Sequence, residues 1–171
     1  MSLFARLRAA LSPEKAALLV LAVAAATLAG AWTFQALGFL PCELCLIERY
    51  PYYASLPLAA AAFFLARNAP ALFARAVLGL MAAIFAGGAA LAAYHAGVEW
   101  KFWPGPAGCT GKFVAPTSME AFRAQLEHVH VVRCDAPALR ILGLSLAGWN
   151  VPISLAIGFA ALLGATAPKK A

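Results

Sequence analysis

The sequence predicts an all-α membrane protein: a bundle of four transmembrane helices with both termini cytoplasmic and a short amphipathic helix in its second outer loop. Three observations carry that expectation. Hydrophobic residues make up 64% of the 171-residue chain and charged residues only 12%, with a mean hydropathy of +0.82, a balance foreign to soluble domains. Four apolar segments, about 16–37, 50–66, 76–94 and 149–167, each come near the roughly 20 residues needed to cross a bilayer. Basic residues cluster in three places: Arg6, Arg8 and Lys15 before the first segment, Arg67 and Arg75 between the second and third, and Lys169 and Lys170 after the fourth. With four spans these regions share one side, and the positive-inside rule makes it the cytoplasm. The net charge of +6 therefore reports topology, and no nucleic-acid partner is expected.

The first segment follows a basic stretch and contains "AGA" at 29–31, the features of a cleaved signal peptide. Its apolar run continues past Ala31 and three more follow, so a retained first helix is expected. The second segment, 50–66, is the shortest and is expected to borrow residues from the cysteine stretch before it. Alanine-rich runs such as "PLAAAAFFLA" and "FAGGAALAAY" suit close helix packing in lipid, where small residues let backbones approach. The whole chain, 1–171, reads as a single polytopic domain whose outer loops are about 38–49 and 95–148. The long loop carries five Lys or Arg and four Asp or Glu, close to neutral.

All four cysteines fall in these two outer loops, Cys42 and Cys45 in the first, Cys109 and Cys134 in the second. That is the side on which disulfides form and persist. Pro41 directly precedes Cys42, so the Cys-x-x-Cys pair is expected to open a helix or a turn leading into one, where a helix N-terminus lowers a thiol pKa. Arg49 is four residues after Cys45, on the thiol's face of an unbroken helix, although Pro51 would clash with the carbonyl of Ile47 in a straight one. The alternatives for Arg49 are thiolate stabiliser and interfacial anchor. A structural zinc site would want a second close pair or histidines in the same loop, whereas 24 residues separate Cys109 from Cys134; no metal is expected. Haem attachment needs a histidine where Leu46 stands.

In the long loop, Trp100, Phe102 and Trp103 read as interfacial aromatics. Thr117 and Glu120 fit a capping box, and Met119, Phe122, Leu126 and Val129 recur at helical spacing, predicting the amphipathic surface helix. His128 and His130 lie near Cys134. His95 closes the third segment at a depth that should match that of Arg49, which makes it the histidine of interest. Two cysteine pairs on one face suggest a thiol–disulfide relay through mixed disulfides. A loop pair suits a soluble dithiol protein, and a pair at the bilayer rim suits a lipid-dissolved acceptor. No Gly-x-Gly-x-x-Gly or other flavin or nucleotide signal is evident, which leaves a quinone as the natural two-electron acceptor.

The motif "PCELCLIERY", the loop cysteines Cys109 and Cys134, "YH" at the end of the third segment and "LGLSLAGWNVP" entering the fourth together resemble the disulfide bond formation protein B (DsbB) family over essentially the whole chain. The resemblance implies a protein-disulfide oxidoreductase of the bacterial inner membrane, with its cysteines on the periplasmic side. It would reoxidise a periplasmic DsbA-like thioredoxin-fold protein and reduce ubiquinone, or menaquinone. By position, Cys109 would form the mixed disulfide with the partner, Cys134 would attack Cys42, and Cys45 would emerge as the thiolate facing the quinone, with Arg49 and His95 beside the cofactor. The run "EWKFWPGP" before Cys109 departs from the best-known pattern and bears on partner docking. Two other readings stand beside this one. A vitamin K epoxide reductase-like enzyme also pairs loop cysteines with a membrane Cys-x-x-Cys, usually late in the chain. A non-catalytic membrane protein would use both pairs as structural disulfides.

Overall fold

The computed structural model describes residues 3–106, 118–120, 123 and 132–168, and these are mostly helical. A short helix α1 (Leu3–Ala10) precedes α2 (Pro13–Ala36), then α3 (Glu43–Ile47), α4 (Tyr50–Asn68) and α5 (Ala71–Glu99). A two-stranded hairpin, β1 (Arg140–Ile141) and β2 (Leu144–Ser145), leads into the last helix, α6 (Leu146–Ala165). The long helices α2, α4, α5 and α6 pack side by side. Of these, α2, α5 and α6 are long and apolar enough to cross a membrane. Together with their apolar exteriors, which expose Leu18, Trp32, Leu80 and Leu155, they mark a multi-pass membrane protein.

Local sequence explains where these helices start and stop. Ser12 caps α2 by accepting the Lys15 N–H, with Pro13 at the first position and Glu14 in the first turn, three features that favour a helix N-terminus. At its far end, Gly38 adopts φ +95°. The Phe39 N–H reaches back to Phe34 O and the Gly38 N–H to Gln35 O, both at 3.1 Å, a Schellman closure that needs a residue without Cβ strain. The chain is thereby turned sharply into the cysteine stretch.

The segment from Cys42 to Tyr50 is not one straight helix. Glu48 and Arg49 form a turn between α3 and α4, and Pro51 falls in the first turn of α4, where its missing N–H costs nothing. The feared clash with Ile47 is thus avoided by starting a new helix. Helix α5 is longer than the expected 76–94 segment by five residues at each end, so His95 and Glu99 project from a continuous helix. At about 1.5 Å per residue it exceeds the roughly 30 Å hydrocarbon thickness, which carries its ends to the polar boundaries.

The core is built from Val20, Ala24 and Leu28 of α2, Tyr52, Ala59 and Ala62 of α4, Leu78, Met81 and Phe85 of α5, and Ile157 and Ala161 of α6. Small residues set the closest approaches. A Cβ at Gly164 would overlap the Ala16 methyl across the contact between α6 and α2. Gly164→Ala is therefore expected to lower stability by about 1–3 kcal/mol, the usual cost of overpacking. Thermal unfolding in detergent measures it, and an unchanged midpoint would show that the α2 and α6 contact relaxes freely.

Beyond α5 the aromatic run folds back on the helix. The Trp103 ring stacks on Tyr94 and donates from Nε1 to Tyr94 O at 2.9 Å, filling the space that Gly97 leaves open. Lys101 pairs with Asp135, which ties the segment around Cys134 to the end of α5. The hairpin turns at Leu142 (φ 52°) and Gly143 (φ 84°), the two positive φ values of a tight two-residue connection, and Ser145 then caps α6 by accepting the Gly148 N–H at 3.0 Å. The expected amphipathic helix lies outside the described residues, apart from Met119, Glu120 and Arg123, which are helical.

Candidate functional site

Cys42 is the N-cap of α3, in extended conformation, and its sulfur accepts the Cys45 N–H at 3.2 Å. Proline before the cap and Glu43 in the first turn favour this start, and the cap geometry folds the two thiols together with their Sγ atoms 2.7 Å apart. Cys42 is buried and Cys45 partly so; both are free thiols.

The two cysteines differ in their surroundings. Cys42 forms a buried cluster with Leu44 and Cys134, against which Cys45, Leu91 and Val132 pack. Cys134 is disulfide-bonded, and its partner, like Cys109, lies outside the described residues. Cys45 instead lines a cavity of about 300 Å³ between α2, the α3–α4 turn and α6, with Arg49, Tyr52 and Asn150 among apolar neighbours such as Leu28 and Ile153. Cys42 is not among the residues described as lining it.

Behind Cys42 stands a polar network. His95 Nε2 is 3.6 Å from Cys42 Sγ, and Nδ1 hydrogen-bonds Glu48 Oε1 at 2.6 Å. Both side chains are buried. Asn150 Nδ2 donates to the other oxygen, Glu48 Oε2, at 2.7 Å. Tyr52 OH donates to Asn150 Oδ1 and lies 3.1 Å from Ser154 Oγ. Glu99, one turn beyond His95, places Oε1 4.0 Å from Nε2. The network partners every polar group named here except Glu99 Oε2, which is buried without a hydrogen bond, and it links α3, α4, α5 and α6 at one level of the bundle.

The electrostatics separate the thiols. The Cys45 thiol hydrogen-bonded to it holds the Cys42 thiol below its ordinary range against the opposing effect of burial, with further help from His95 and the Cys45 N–H. The same contact, together with burial, pushes Cys45 upward. In the reduced pair only Cys42 has the cap position and the histidine; the Cys45 thiolate that the resemblance implies belongs to a different step, when Cys134 has attacked Cys42.

Arg49 lines the cavity with Cys45, while its hydrogen bonds run to α2: NH1 to Gln35 Oε1 at 2.8 Å and NH2 to Ala31 O at 3.5 Å. His95 lies against Cys42 and is not among the described residues lining the cavity. The structure brings Cys42, Cys45, His95 and Cys134 into one region, with Arg49 on its cavity side. His128 and His130 lie outside the described residues. Cys42, Cys45 and His95 also hold their donor atoms within 4.8 Å of one another, close enough to share a metal ion.

Sequence reasoning missed Glu48, Asn150, Tyr52 and Ser154. A signal existed for Glu48, an acid in an apolar run next to the redox pair, since a carboxylate at a membrane boundary seldom sits there without a partner. The hydroxyls and the amide gave none, because their neighbours come from about 100 residues away.

A family model described as disulfide bond formation protein DsbB matches residues 13–164. No curated protein and no solved structure gives a significant match. A match over nearly the whole chain, on a bundle of membrane-type helices that presents a capped Cys-x-x-Cys beside a second buried cysteine, places this chain in the DsbB family of membrane disulfide oxidoreductases.

Proposed function

We propose that the protein oxidises a soluble DsbA-like thioredoxin-fold dithiol and passes the electrons through two cysteine pairs to membrane quinone, ubiquinone or menaquinone. In this reading α4 is a fourth span, the termini are cytoplasmic, and the cysteines face the periplasm of a bacterial inner membrane. One observation supports it most: Cys42 is buried with Cys134, while Cys45 opens onto a separate apolar cavity. The division gives the relay an entrance and an exit.

The cavity fits a flat, apolar two-electron acceptor, being mostly hydrocarbon-lined with a thiol and a guanidinium on its wall. A quinone bound there supplies the capacity to take up two electrons and two protons. The chain's own residues do the rest by exchange. A partner thiolate attacks Cys109 of a Cys109–Cys134 disulfide, and the thiolate released on Cys134 attacks Cys42 of the Cys42–Cys45 disulfide, freeing Cys45. As the partner closes its own disulfide it releases Cys109, which attacks Cys134 and releases Cys42; the donor's two protons are taken up by Cys45 and by the Cys42–His95 pair, in which the cap and His95 favour charge on the sulfur. Oxidation of Cys42 and Cys45 back to a disulfide completes the cycle, with Arg49 offering positive charge at the cavity wall.

The test is direct. Purified protein given quinone and a reduced thioredoxin-like dithiol should form quinol in step with donor oxidation, one disulfide per quinol. Donor oxidation without quinol, or no reaction with either, would overturn the reading.

A further inference from the structure

Forming the Cys42–Cys45 disulfide at the expense of a quinone moves two electrons and two protons, and the two protons do not start from equivalent places. Cys45 lines the cavity, so its proton can be handed over directly. Cys42 is not among the described lining residues, and a proton stranded there would hold back each turnover. The group nearest Cys42 on that side is His95, whose Nε2 is 3.6 Å away and whose Nδ1 is 2.6 Å from Glu48. Of the two carboxylates flanking His95, Glu48 lines the cavity and Glu99 is not among the described lining residues.

We propose that His95 and Glu48 carry the Cys42 proton from the buried thiol to the quinone cavity, so that the site moves protons by one route and electrons by another. This rests on the quinone-reducing reading above. Cys42 S–H gives its proton to His95 Nε2, the Nδ1 proton passes to Glu48 Oε1, and the Glu48 carboxyl holds it at the cavity wall. The electron pair leaves through Cys45 as the S–S bond closes. Asn150, donating to Glu48 Oε2, keeps the carboxyl aimed at His95 and is itself held by Tyr52. The titratable and charged groups around this route are Cys42 and Cys45 of the first loop, Arg49 at the α3–α4 turn, Tyr52 of α4, and His95 and Glu99 of α5. Those contributed by α6, Asn150 and Ser154, are neutral. The imidazole relays because its two nitrogens exchange donor and acceptor roles, and a side chain with one polar end could not.

Glu48→Gln keeps the shape and loses the proton acceptor. Quinol formation from pre-reduced protein is expected to fall on the order of 10²-fold or more, as for loss of a positioned base, with the preceding thiol exchange affected at least about tenfold less. In quinone-free reduced protein the thiolate absorbance of Cys42 should appear only at higher pH in Glu48→Gln than in wild type, because His95 without its carboxylate accepts the proton less readily. Glu48→Asp should recover part of both effects. A Glu48→Gln protein with a wild-type thiolate titration overturns the proposal, as does equal slowing of both half-reactions, which would mark a structural role. If wild type forms no quinol at all, the quinone reading fails, and the titration still decides whether Glu48 and His95 take the Cys42 proton.

Discussion

Cys45→Ser is expected to abolish quinol formation, by about 10³-fold or more, in protein that still folds and still meets its thiol donor. Cys45 is the sulfur on the cavity wall, so its loss removes the only described thiol through which the pair reaches that space. The remaining Cys42 still faces Cys134. It can exchange with the loop disulfide to give a Cys42–Cys134 linked species, which Cys109 can reverse, but without Cys45 it has no thiol with which to close a disulfide at the cavity, so electrons should go no further than that species. Non-reducing peptide mapping identifies that species, and quinone absorbance follows the loss of turnover. The small change of sulfur to oxygen leaves the cap intact, since it is Cys42 that accepts the Cys45 backbone N–H. Stability should therefore move little. A structural-disulfide reading expects the reverse, a lower melting temperature with no effect on electron flow, and that outcome would remove the assigned exit role.

The membrane character and the grouping of the cysteines were legible in the sequence because both are one-dimensional signals. Long apolar runs and the spacing Cys-x-x-Cys survive without knowledge of the fold. Cys42 as a helix opener could be read from Pro41 for the same reason. What could not be read was anything set by one helix against another. Arg49 was expected on Cys45's face because spacing along a helix was the only guide, whereas the chain turns at Glu48 and Arg49 and the guanidinium reaches across to Gln35. The extent of α5 was underestimated because its ends, around Arg75 and His95, look polar in a hydropathy window although the helix continues through them. The hairpin at 140–145 escaped notice because its turn residues, Leu142 and Gly143, include a leucine at positive φ, a conformation that sequence does not announce.

His95→Ala is expected to make the Cys42–Cys45 disulfide a weaker oxidant, with its reduction potential more negative by about 30–60 mV. The sign follows from which state carries the charge. A Cys42 thiolate exists only in the reduced pair, so whatever stabilises it favours reduction and raises the potential; the oxidised pair has no charge there to stabilise. The contact of His95 Nε2 with Cys42 Sγ is one of the causes that hold the thiol below its ordinary range. A hydrogen bond to a charged group contributes about 1.5–3 kcal/mol, and about 1.4 kcal/mol corresponds to 30 mV for two electrons, which gives the stated range. The dependence on pH has a definite direction. Cys42 is an acid of lowered pKa, so its contribution is present above that lowered value and disappears as the pH falls through it. The difference between variant and wild type should therefore be present at neutral pH and close up in acid, where both proteins hold Cys42 as a thiol. Equilibration of quinone-free protein with a dithiol buffer reads this potential, in a background lacking Cys109 and Cys134 so that a single couple is observed. Removing His95 also takes from buried Glu48 one of its two described partners, leaving Asn150, and breaking such a buried pair typically costs about 3–5 kcal/mol. His95→Gln, which can still bond to the carboxylate but cannot become a cation, separates the two effects. It should recover much of the stability while keeping the potential low. Equal potentials in wild type and both variants would mean that the cap and Cys45 alone set the charge on Cys42, leaving the histidine no part in pulling electrons toward the membrane.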